Sequence, residues 1–208
     1  MNKSFYSQLK ENIGVDTLFN LAMANRVFRS LTPGAIKEEM SRLAKKEKVK
    51  RLGYGVYVIS SGKLNEEELQ KKSIVFRYIG SSQDVIGFYY GENFVREIKG
   101  VPLLETGLEI VTNKATSGKK AVFQFGRRII LRKPYVKVTI SNVHLVSFLT
   151  YIGYAKEDEL KRNNAILSNY VRENRLSAIE AVSILPNFPS KTAKRLLSSG
   201  FYKLMWKH

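Results

Sequence analysis

The apolar residues of this chain change period four times, and that alternation limits the folds open to it more than any other feature. Phe5, Leu9 and Ile13 recur every four residues, and Ile36, Met40 and Leu43 every three or four. That is the spacing of helices with one buried face. One or two further helical stretches are expected over residues 16–29. Between residues 49 and 59 the pattern shortens to two strand-like runs, 49–52 and 56–59, around Gly53-Tyr54-Gly55. Asn65 with Glu68 three residues on resembles a capping box, which predicts a helix from Glu66 to about Tyr78. Another helix is expected over residues 84–99, stopped at Gly100. After Pro102 residues 108–112, 121–125, 129–131 and 136–140 read as strands, with turns at 116–118 and 126–127. Helices resume at Asn142, with Val143, Val146, Leu149 and Ile152 on one stripe. They continue through Tyr170, Val182 and Leu196, broken near Pro186 and Pro189. The expectation is an α+β chain in two domains, residues 1–62 and 63–208, joined by a short linker at 60–63. The second domain should hold a sheet at about 107–140 and helices at about 142–200.

Charge separates the functional classes. The 208 residues include 35 Lys and Arg against 18 Asp and Glu, a net of +17. The excess is spread: residues 1–60 carry 11 basic and 5 acidic side chains, 61–154 carry 14 and 8, and 155–208 carry 10 and 5. No acidic residue stands between Glu109 and Glu157. Such an imbalance calls for an anionic partner. The first residues have no apolar core of a signal peptide, and no apolar run approaches a membrane span. A cytoplasmic, nucleic-acid-binding chain with no membrane partner is expected. There is no cysteine, and the only histidines are His144 and His208, so no zinc site is expected.

Thr32 is a suitable N-cap with Pro33 in the first helical position. The helix running from there to Lys48 would turn Ile36, Met40 and Leu43 inward and Lys37, Glu38, Ser41, Arg42, Lys45 and Lys48 outward. A basic face alone is usually just a solvated one. Here it leads directly into two strands and a glycine-bounded turn, and three helices followed by a small hairpin is the winged helix-turn-helix order. The candidate DNA-binding residues are Arg26, Arg29, Thr32, Lys37, Ser41, Arg42, Lys45, Lys46, Lys48, Lys50, Arg51 and Tyr54. Lys37, Ser41 and Arg42 would lie nearest base edges, while Lys45, Lys46, Lys48, Arg51 and Tyr54 would lie nearer phosphates. The whole reads as an N-terminal winged helix-turn-helix followed by a mixed α/β C-terminal domain.

Phe28-Arg29-Ser30-Leu31, Ile36, Met40, Arg42-Leu43, Val49, Arg51 and Gly53-Tyr54-Gly55-Val56-Tyr57 resemble the N-terminal winged helix of the AbiEi family. These are antitoxins of type IV, abortive-infection toxin–antitoxin systems. Glu47 stands where that family usually has a glycine before the wing. Residues 87–91, 100–102, 109–113 and 128–134 look like the C-terminal domain of the same family, so the resemblance spans roughly residues 9–155. It implies a phage-defence role: a transcriptional autorepressor that binds inverted repeats in its own operon promoter. It also implies that the C-terminal domain counteracts a nucleotidyltransferase-like toxin without a stable complex.

Few other motifs in the chain point to chemistry. Ser117-Gly118-Lys119-Lys120 lacks the first glycine and the hydroxyl of a phosphate loop and reads as a hairpin turn. Asp84, Glu97 and Lys99 could form a nuclease set, but they are expected on one surface helix. His144, near a helix start, reads as a cap neighbour. Tyr89, Tyr90, Phe123 and Phe125 could stack bases but are more often core. No enzymatic activity, cofactor or metal is expected. A second basic surface of Lys119, Lys120, Arg127, Arg128, Arg132 and Lys133 could contact DNA or serve the antitoxin role. The alternative reading is a protein that binds structured RNA through this basic C-terminal sheet.

Overall fold

The computed structural model describes residues 3–53, 55–104 and 107–206. It is an α+β chain of two compact units, Met1–Arg77 and Tyr78–His208. The first unit runs α1 (Phe5–Ile13), β1 (Leu18–Asn20), α2 (Leu21–Val27), α3 (Pro33–Lys45), β2 (Lys50–Arg51), β3 (Val56–Val58) and α4 (Glu66–Tyr78). Residues 16–29 are therefore not wholly helical. Leu18-Phe19-Asn20 pairs antiparallel with β3, burying Phe19, and a three-residue strand is too short to leave a period of its own. The Asn20 side chain then caps α2, accepting from the Met23 amide at 3.0 Å. The sheet order is β1-β3-β2.

Thr32 caps α3 as expected, its hydroxyl accepting from the Ala35 amide at 3.3 Å. Ile36, Met40 and Leu43 go into a core shared with Leu9, Phe19 and Ile59. The helix ends at Lys45, short of Lys48. Glu47 has φ 55, and the amides of Glu47 and Lys48 donate back to Ala44 O and Leu43 O at 3.1 and 3.0 Å. That is a Schellman closure, whose left-handed residue is usually glycine.

The capping box of α4 is present: Glu68 N donates to Asn65 Oδ1 at 2.8 Å and Asn65 N to Glu68 Oε2 at 3.0 Å. Leu69 and Phe76 pack with Leu52, Val56 and Val58, so α4 belongs to the first unit and the expected boundary after residue 62 moves to Arg77. Residues 60–63 are tied down as well. The Ser61 amide and hydroxyl both donate to the Asp16 carboxylate, which holds its pKa below the usual range.

The second unit opens with β4 (Gly80–Ser81), β5 (Asp84–Val85), β6 (Gly87–Tyr89) and α5 (Glu92–Ile98). The helix expected over 84–99 therefore begins only at Glu92. Gly87 explains why: a Cβ there would lie 2.4 Å from Val111 O, so the backbone approach to the neighbouring strand needs glycine. Next come β7 (Leu108–Thr112), β8 (Lys119–Gln124) and β9 (Arg127–Arg132) in a sheet of order β6-β7-β9-β8, with β7 and β9 parallel. Ile129, Ile130 and Leu131 are all buried, so β9 needs cover on both faces and takes an interior place, while β8 exposes Lys119, Lys120, Ala121 and Phe123 at the edge. The turn between them is Phe125-Gly126, φ 52 and 72, the two left-handed residues of a type I′ hairpin. It falls one residue before the expected position. Residues 116–118 are no hairpin turn, because β8 pairs with β9 and not with β7.

Residues 136–140 form no strand. Val138 is bound through its N–H and carbonyl to the Asn113 side chain at 2.9 and 2.7 Å, and Asn142 holds Lys137 O and Thr139 N. The remaining helices are α6 (Val143–Tyr154), α7 (Glu157–Arg162), α8 (Asn164–Glu173), α9 (Ala178–Ile184), α10 (Ser190–Ser198) and α11 (Phe201–Met205). The expected single stripe on α6 understates it: every residue from Leu145 to Gly153 is buried. The core around it draws on Phe88, Phe94, Leu167, Leu196 and Phe201. Arg195 of α10 donates to Gly153 O at 2.9 Å, satisfying a terminal carbonyl of α6. Among the described residues no helix is long and apolar enough to cross a membrane.

Candidate nucleic-acid interface

The outward face of α3 is built by the same periodicity that buries its other side. With Ile36, Met40 and Leu43 inside, Lys37, Ser41, Arg42, Lys45 and Lys46 are left exposed, and Lys48, Lys50 and Arg51 continue the exposed set into β2. Arg26 and Arg29 are exposed at the end of α2 and in the turn after it. Tyr54 lies outside the described residues. Several of these cations already have partners. Arg42 meets Glu39 Oε2 at 2.5 Å, Lys50 pairs with Glu66, and Lys48 Nζ sits 5.3 Å over the Tyr6 ring. At the surface such contacts are worth only a few tenths of a kcal/mol to about 1 kcal/mol, so an anion can compete for these side chains. Among the described residues Arg26, Lys37, Lys45, Lys46 and Arg51 have no acidic partner. Thr32 has its hydroxyl engaged in capping α3.

The second basic set lies on the β8–β9 hairpin. Register pairs Lys119 with Arg132, Phe123 with Arg128 and Gln124 with Arg127. Directly opposed residues share a face, so Lys119, Ala121, Phe123 and Arg128 point to one side, and all four are exposed. Lys120 and Lys133 are exposed too. Arg132 is not available in the same way. Its Nε donates to Glu109 Oε2 at 2.5 Å and its guanidinium lies 4.1 Å over the Tyr90 ring. The expectation that the aromatics belong to the core holds for Tyr89, which is buried, and fails for Phe123, which is 69% exposed. On an edge strand no neighbour covers it, and the sequence has no signal that says which strand is the edge.

The residues of the nuclease-type set are not on one helix. Asp84 is on β5 and Glu97 on α5, while Lys99 donates to Asn163 Oδ1 at 2.9 Å. Crowding by protein atoms pushes the Glu97 carboxyl up to about 7, although the residue as a whole remains exposed. Among the described residues no cluster of His, Asp or Glu could hold a metal ion. His144 Nδ1 is 3.0 Å from the Tyr170 hydroxyl in a half-buried network with Ser147, and desolvation lowers its pKa. A cleft of about 310 Å³ lies between α5 and the α7–α8 junction, lined by Arg96, Lys99, Tyr151, Tyr154 and Arg162. Arg96 is engaged there with Pro102 O and Glu92.

No family model, curated protein or solved structure matches the chain.

Proposed function

We propose that the first unit is a winged helix-turn-helix that binds duplex DNA through α3, and that the protein is an antitoxin-type transcriptional repressor acting by binding rather than catalysis. The observation that carries this reading is the outward face of α3, which shows Lys37, Arg42 and Lys45 opposite the buried Ile36, Met40 and Leu43 and leads within five residues into β2. The order α1-β1-α2-α3-β2-β3 with sheet order β1-β3-β2 supports the winged-helix assignment. The left-handed Glu47, standing where the AbiEi family usually has glycine, supports the resemblance to that family. On this reading the protein represses its own operon at inverted repeats and opposes a nucleotidyltransferase-like toxin in the cytoplasm without a stable complex.

The test is a fluorescence titration on the DNA upstream of its own gene and on a scrambled duplex, across a range of salt. Contacts from Arg26, Arg29, Lys45, Lys46, Lys48 and Arg51 to six phosphates give a log–log salt slope of about −5. Lys45→Ala and Arg51→Ala each reduce that slope by about one on both duplexes, whereas Arg42→Ala costs about 1–3 kcal/mol on the specific site and less on the scrambled one. A slope near zero, or equal affinity for both duplexes, refutes the proposal.

A further inference from the structure

The exposed face of the β8–β9 hairpin has three features that the α3 surface does not explain. Phe123 is 69% exposed in the middle of a cationic ribbon. Arg128 stands directly across the ladder from it, and Lys119 lies four residues along on the same face, about 13 Å away at the rise of a strand. Both cations are exposed and neither has an acidic partner among the described residues. Leaving a phenylalanine in water gains the fold nothing, and substituting a lysine or threonine would protect the strand edge better.

We propose that this face binds a single strand of nucleic acid, with a base stacked on Phe123 and phosphates held by Arg128 and Lys119. An aromatic ring flanked by positive charge suits an unpaired base because every base has a flat face, whereas in a duplex those faces are covered by neighbours. The same geometry disfavours duplex DNA at this site: a flat, exposed ring has nothing to stack on in a groove wall. Charge argues against a protein partner unless that partner is strongly acidic, since no acidic residue lies between Glu109 and Glu157. The site does not depend on the DNA-binding reading of the first unit, because every residue it uses belongs to the second.

The experiment is a fluorescence-polarisation titration of the full chain with short labelled oligouridine and oligodeoxythymidine. Phe123→Ala weakens binding of both by about 5- to 150-fold, the value of one stacked base, and Phe123→Trp retains it. In a Trp206→Phe background the Phe123→Trp indole is quenched as the oligonucleotide binds, which a structural role for Phe123 would not produce. Lys45→Ala and Arg51→Ala leave oligonucleotide affinity unchanged while weakening duplex binding. Stronger binding of oligouridine than oligodeoxythymidine names RNA as the strand, and the reverse names DNA. The proposal is overturned if Phe123→Ala binds the oligonucleotides as the parent does. It is equally overturned if the first-unit variants abolish that binding, or if Phe123→Ala only converts a self-associated form to monomer.

Discussion

Replacing Glu47 by glycine isolates the backbone conformation that ends α3 and starts the turn into β2. At φ 55 the glutamate holds a left-handed conformation that costs an L-residue about 1–2 kcal/mol. Glycine removes that cost but gives the unfolded chain extra freedom worth about 0.4–1 kcal/mol. The two hydrogen bonds of the closure, Glu47 N to Ala44 O and Lys48 N to Leu43 O, are backbone bonds and survive the change. The net is a gain of about 0.5–1 kcal/mol, which for a unit of this size raises Tm by about 2–8 °C. Calorimetry of the full chain at moderate salt checks the value, with Lys48 amide exchange reporting the site locally. Glu47→Ala is the control, because it removes the same charge from among Lys45, Lys46 and Lys48 while keeping the β-carbon. If Glu47→Ala stabilises as much as Glu47→Gly, relief lies in electrostatics and the backbone argument is wrong. A fall in Tm for the glycine variant has the same consequence.

Two further expectations concern the unit boundary and Glu97. A fragment of residues 1–77 unfolds cooperatively in urea and binds DNA, whereas one of residues 1–62 does not fold, since it loses Leu69 and Phe76 from the core over Val58. Leu69→Ala in the full chain costs about 2–5 kcal/mol, and equal cooperativity of the two fragments would remove the case for the later boundary. Glu97, with a carboxyl raised from near 4.5 to about 7, makes the fold lose stability as pH rises through that interval, because the folded state keeps a proton the unfolded chain has released. One side of the residue faces water, so the slope is shallow, and Glu97→Gln flattens it; an unchanged pH profile in that variant shows that the carboxyl is not desolvated. The same variant leaves DNA binding intact, and a magnesium-dependent DNA cleavage that it abolishes would overturn the non-catalytic reading.

The helices were legible in the sequence wherever a cap and a period agreed. Thr32-Pro33 and Asn65 with Glu68 mark their helix starts because side-chain oxygens must meet the unpaired amides there. The short strands were not. Residues 18–20 and 84–89 look helical in sequence because two or three residues carry no period, and their pairing is decided by distant segments such as β3 and β7. Residues 136–140 alternate like a strand, yet Asn113 and Asn142 satisfy their backbone instead, a choice set by side chains that local pattern cannot weigh. The α3 face was legible because burial of Ile36, Met40 and Leu43 fixes what remains outside. The pair that Lys50 of β2 makes with Glu66 was not, since its partner comes from a helix sixteen positions on. The exposure of Phe123 follows only from strand order.

That strand order has a consequence during synthesis. β7 emerges with one edge ready for β6, but its other partner is β9, which leaves the ribosome about twenty residues later, roughly 1–4 s at about 5–20 residues per second. In that interval the nearest available strand is β8. Seating β8 against β7 would give the simpler meander, but a strand that exposes Lys119, Lys120, Ala121 and Phe123 would then stand in the interior place that Ile129, Ile130 and Leu131 fill. The interior place is filled only once the hairpin turns at Phe125-Gly126 and delivers the apolar strand.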